Sequence, residues 1–201
     1  MKRMLWMALL ALSLPMAAFA NNSVDFTNSG GTLSGTTAGL SLSGSELIAV
    51  NGLNGLGLVT GDLGSLSFST GALTSGSLQM GGTFMAGGTF SIVGNGTNGI
   101  PNATIFNGSF SGPVTWTLVQ LANGTNNYTL SGSVSGTWWT GATVFGATVQ
   151  LTINTGKGFF NGTTTISSGD TNIAVPEPGS LTLLGTGLVG LAGILHRKLK
   201  A

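Results

Sequence analysis

The chain has 201 residues, no cysteine and a single histidine, and 5% of it is charged, for a formal net charge of +1. An exported form would therefore rest on packing and hydrogen bonds rather than disulfides. Apart from Lys157, its Lys and Arg residues lie at the two ends, so no basic patch exists to neutralise phosphates and nucleic acid is excluded as a partner.

The N-terminus opens with Lys2 and Arg3, continues as an apolar stretch from Met4 to Leu14, and closes on Ala18-Phe19-Ala20. A positive region, an apolar core and a small-x-small site form a secretory signal peptide over residues 1–20. Cleavage is expected after Ala20, with Ala18 and Ala20 as the recognised small residues. The implied partners are the Sec export machinery and signal peptidase.

Residues 21–174 form the exported domain, rich in Gly, Ser, Thr and Asn. Its charged residues are Asp25, Glu46, Asp62, Asp170 and Lys157, one cation against four acids, hence a net charge of −3. Period-two alternation recurs, as in Leu63-Gly64-Ser65-Leu66-Ser67-Phe68-Ser69 and Tyr128-Thr129-Leu130-Ser131-Gly132-Ser133-Val134. Alternation with Thr, Val and aromatics predicts half-buried strands. Turn signals separate the runs at Asn51-Gly52, Asn54-Gly55, Asn98-Gly99, Asn123-Gly124 and Asn161-Gly162.

Two textures are expected in this domain. Residues 104–166 predict a meander of antiparallel strands at 104–110, 113–121, 127–136, 142–153 and 157–166. Asn154-Thr155-Gly156-Lys157-Gly158 is read as the hairpin loop before the last of them. Residues 24–93 are glycine-richer and suit short strands packing onto the meander. Gly-Gly-Thr-Phe at 81–84 and 87–90 is a local echo without a long period. The fold class is all-β, an antiparallel sandwich or barrel-like meander; the alternative is a short β-solenoid.

Chemistry-bearing residues are sparse. The one histidine, His196, lies beyond this domain, so Ser-His-Asp or Cys-His catalysis and His/Cys zinc sites are excluded from it. The four carboxylates sit in no local motif of a glycosidase pair or a calcium loop. No catalytic residue, metal or cofactor is expected, and the domain is read as non-enzymatic. Adjacent aromatics at Trp138-Trp139 and Phe159-Phe160 would point to opposite sheet faces. With Trp116 and Tyr128, an exposed ring could stack on a sugar face. The opposing expectation, that these rings are all buried, is preferred. Asn-x-Ser/Thr triplets begin at Asn21, Asn95, Asn102, Asn107, Asn123, Asn127 and Asn161, and follow from Asn, Gly and Thr being common here.

The C-terminus reads Val175-Pro176-Glu177-Pro178, an uncharged run over 179–195, and a tail at 196–201 carrying Arg197, Lys198 and Lys200. As a helix that run would measure about 25 Å, close to a hydrocarbon core. Its glycines are better tolerated in lipid than in water. The basic residues act as a membrane stop that keeps the tail cytoplasmic. A signal peptide in front and a span behind give one consistent topology, with the domain outside.

This combination over residues 175–201 resembles the PEP-CTERM sorting signal. The resemblance implies processing at Pro176-Glu177-Pro178 by exosortase, a membrane protease-transpeptidase. It also implies an inner-membrane-anchored precursor that is then released to the cell surface or outside. The role expected from this is structural or adhesive within exopolysaccharide or biofilm matrix, through contact with polysaccharide or self-association. Two alternatives stay open: a carbohydrate-binding module using exposed aromatics, and a permanently anchored single-pass surface protein.

Overall fold

A computed structural model describes residues 23–174. The signal peptide with Ala18 and Ala20, the motif Val175 to Pro178, the apolar run 179–195 and the basic residues Arg197, Lys198 and Lys200 lie outside the described residues. Among the described residues, no helix is long and apolar enough to cross a membrane.

The strands are β1 (Ser23–Ser29), β2 (Thr32–Thr36), β3 (Gly39–Asn51), β4 (Val59–Thr60), β5 (Gly64–Ser69), β6 (Leu73–Ser77) and β7 (Gly81–Phe84). They continue with β8 (Gly87–Gly94), β9 (Thr104–Phe110), β10 (Val114–Gln120), β11 (Asn126–Trp138), β12 (Thr143–Asn154), β13 (Thr163–Thr165) and β14 (Ser168–Ala174). Every pairing is antiparallel.

Eight of these strands close a barrel in chain order: β1, β3, β5, β8, β9, β11, β12, β14, and back to β1. This is up-and-down connectivity, which removes the free edges of an open sheet. The closing seam aligns Ser23 with Ala174 and Asn28 with Gly169. The remaining strands are excursions from the connections. β10 and β9 lie end to end on one edge of β11, at 126–131 and 134–138. In the same way β2 and β1 share one edge of β3. Of the expected all-β forms, the barrel-like meander is the one found, and not the sandwich or the solenoid.

Period-two patterning explains the interior. Leu66 and Phe68 of β5, Phe90 and Ile92 of β8, and Tyr128, Leu130 and Val134 of β11 face inward, while the Ser and Thr between them face out. Phe68, Phe90 and Phe110 pack ring against ring at 5.6–6.2 Å between centroids. Such pairs each add about 1 kcal/mol beyond area burial. Among the described residues no buried side-chain nitrogen or oxygen lacks a partner. Buried Asn28 donates from Nδ2 to Ser45 Oγ at 2.7 Å, and that hydroxyl donates to the Ser29 carbonyl at 3.1 Å.

Three expectations are corrected. The predicted strand 157–166 is a loop followed by β13 at 163–165, which pairs with β2 rather than turning back on β12. Asn126 Nδ2 donates to the Gly158 carbonyl at 3.1 Å, and its backbone N–H to that of Gly156 at 2.7 Å, pinning this loop to β11. The glycine-rich half is no satellite either, since it supplies β1, β3, β5 and β8 of the barrel.

Thirdly, a longer period does exist. Gly44, Ile48, Asn51, Gly52, Asn54, Gly55, Thr60, Gly64, Ser65 and Ser67 recur 44 positions later as Gly88, Ile92, Asn95, Gly96, Asn98, Gly99, Thr104, Gly108, Ser109 and Ser111. The two segments build the hairpins β3–β5 and β8–β9. Each has a single 3₁₀ turn after its first strand, with Asn54 and Asn98 both left-handed at φ 53. Asn is among the side chains that tolerate this conformation best.

Candidate functional site

Outward-facing side chains line up in rows across the barrel wall, because antiparallel register places paired residues on one face. One row runs Thr115, Ser131, Gln150, Asp170 and Thr27 across β10, β11, β12, β14 and β1. The next runs Ser133, Thr148, Asn172 and Asp25. Between them lies an open trench of about 420 Å³, lined also by Pro113, Gly132 and Val149. Val149 turns its side chain into the core and Gly132 has none, so backbone forms the floor. Gln150, Asn172 and Asp170 are the longer polar side chains around it.

Asp170 accepts a hydrogen bond from Thr27 Oγ1 at 3.3 Å. Partial burial, then the nearby Asp25 carboxylate, push its pKa above 3.8, and the Thr27 bond opposes them. The trench therefore presents hydroxyls, two carboxamides and a carboxylate, a set suited to hydrogen-bonding a polyol. The other acids lie apart from it. Glu46 is exposed on β3, paired with Ser29 and Ser65. Asp62 is held in a loop by Asn95 Nδ2, 3.1 Å from its carboxylate.

The aromatic candidates divide. Trp116, Tyr128 and Trp138 are at most 4% exposed, so as stacking residues for a glycan they are corrected to core. Trp116 stacks on Tyr128 at 4.8 Å and donates from Nε1 to the Leu78 carbonyl at 2.8 Å. Tyr128 donates to the Gln79 carbonyl at 2.7 Å and accepts from the Phe160 N–H at 3.0 Å. Trp138 packs edge-on against Phe26. Their neighbours point the other way: Trp139 is 44% and Phe159 46% exposed. The preferred expectation that every ring is buried fails for those two, because Trp139 follows the last residue of β11 and Phe159 lies in the pinned loop.

Sequence reading missed Phe145, the most exposed large apolar residue described, at 79%. On β12, Phe145 and Gly146 together stand opposite Ser135, between the pairs Val144–Gly136 and Ala147–Val134. Gly146 is left-handed at φ 69. This bulge keeps Val144 and Ala147 facing inward and leaves Phe145 outside. A glycine one residue after an aromatic, inside a well-patterned strand, was the available signal.

Fold and surface thus define an up-and-down barrel with a polar trench on its wall. The PEP-CTERM protein-sorting motif matches residues 174–198. The chain is therefore a carrier of that sorting signal, an exported protein handled at the membrane by exosortase-type machinery. No curated protein and no solved structure matches it.

Proposed function

We propose that the barrel is a non-enzymatic structural or adhesive module of the cell surface or extracellular matrix, and that its trench holds exopolysaccharide. The sorting motif at 174–198 carries the export half of this reading. The aligned rows of Thr, Ser, Gln, Asn and Asp support the binding half. Sugar hydroxyls both donate and accept, and planar Gln150, Asn172 and Asp170 suit paired contacts. The barrel's closure makes trench contacts a more natural source of cohesion than free strand edges. Processing at Pro176-Glu177-Pro178 would then free the barrel from an anchored precursor.

The test is titration of purified barrel with the exopolysaccharide of its own host. Binding that weakens about tenfold in the Gln150→Ala, Asn172→Ala double variant corresponds to about 1.4 kcal/mol. Unchanged binding would place the contact elsewhere. A second reading, stacking on an exposed ring, is favoured by the exposure of Trp139; there, Trp139→Ala alone would abolish binding and the trench variant would not.

A further inference from the structure

The chain leaves the barrel beside a protruding hairpin. Thr148 of β12 pairs with Asn172 of β14, so Ala174 lies level with Gly146. β12 extends beyond that level through Val144 and Thr143, and joins β11 by a turn closed by Trp138 N–H on the Ala142 carbonyl at 2.8 Å. Because Phe145 and Gly146 share one level, the two further steps to Thr143 reach about 7 Å past Ala174, with the turn beyond. Two residues of fully extended chain, from Ala174 to Pro176, reach about 7 Å. Ala174, the first residue of the sorting motif, therefore lies beside this hairpin.

The hairpin exposes two large rings where it protrudes. From Thr137 to Gly146 it carries no charged residue. It exposes Phe145, set outward by its bulge, and Trp139. Such rings, with no cation to hold a headgroup, suit the boundary between headgroups and acyl chains. Ser23, the first described residue, pairs with Ala174, so both ends of the barrel chain lie on this side.

We infer that in the unprocessed precursor the β11–β12 hairpin rests on the lipid surface, with Phe145 and Trp139 as its interfacial contacts. The occupant is the bilayer itself, and the inference rests on the reading that the sorting segment is handled at a membrane. Processing would break the tether and leave two rings too weak to hold the barrel there alone. Membrane residence before cleavage and release after it then follow from one geometry.

The absence of native cysteine makes the test direct. Single cysteines replace Phe145, or Met80 in the β6–β7 turn at the opposite end, which is 65% exposed. Each full-length chain carries an environment-sensitive fluorophore and is reconstituted into phosphatidylethanolamine/phosphatidylglycerol vesicles, with or without spin-labelled lipid. The expected result is at least twofold quenching and a blue shift at position 145, with the label at 80 unaffected. Chains that float with the vesicles but show equal, weak quenching at both positions would overturn the lipid contact while leaving membrane attachment intact. Chains that do not float would overturn the membrane reading and this inference with it.

Discussion

Tyr128 is held from both sides of its hydroxyl, donating to Gln79 and accepting from Phe160. Removing that oxygen leaves the buried Phe160 N–H without a partner, a loss that costs about 1–3 kcal/mol, and also frees the Gln79 carbonyl at the surface. Tyr128→Phe should therefore lower stability by about 2 kcal/mol, measured by urea unfolding, while ring stacking on Trp116 persists. Asp170 gives the opposite lesson. Its pKa is raised, so between 3.8 and its folded value the native state holds more proton than the unfolded chain. Stability is then lost as pH rises through that window. Asp170→Asn should accordingly be more stable than the parent at pH 7, and the gain should vanish below pH 3.8 in thermal unfolding followed by circular dichroism. A gain that persisted at low pH would point to packing instead.

At the scale of elements, strands were most legible where both faces were constrained. The predicted 104–110 coincides with β9, and the hairpins β10–β11 and β11–β12 follow the alternation read from the chain. Residues 157–162 failed because alternation says nothing about partners. The side chain and backbone of Asn126 bind that loop, and Phe160 enters the core from it rather than from a strand. The 44-residue echo was present in the sequence but masked by low complexity, since Gly, Ser and Thr match by chance almost anywhere. Close strand approach sets another element-scale rule. Gly136 of β11 faces Gly108 of β9, and a Cβ at 136 would run into the backbone around Asn107. Gly136→Ala should cost several kcal/mol, beyond the usual range for point changes. The check is loss of the cooperative unfolding transition, with the Gly112→Ala control, where nothing lies within 4 Å, behaving as the parent.

For the whole molecule, stability and sorting meet at one seam. β14 closes the barrel against β1, and the sorting motif begins at its last residue, Ala174. Ile173 is fully buried and faces Val24 across that seam. Ile173→Ala should cost about 2–5 kcal/mol. Hydrogen exchange should show β1 and β14 losing protection together, because opening the seam frees both edges. Replacing Pro176-Glu177-Pro178 by alanines should instead leave the barrel intact and block processing in the native host, read as the mature C-terminus by intact-mass spectrometry. Unchanged processing would remove the tripeptide from the recognition element.

What the sequence determined alone was the class and the address. Alternation of period two and the lack of helical periodicity gave all-β, and a local string of residues gave the sorting signal, since both are written in neighbouring positions. Closure into a barrel was decided only in three dimensions, because pairing Ser23 with Ala174 joins residues that no local pattern links. The trench likewise exists only when β10, β11, β12, β14 and β1 bring short polar side chains into register. Which aromatics remain outside was settled by the same means: a strand pattern names two faces, but only the closed wall decides that Trp138 is core while Trp139 and Phe145 meet the surroundings.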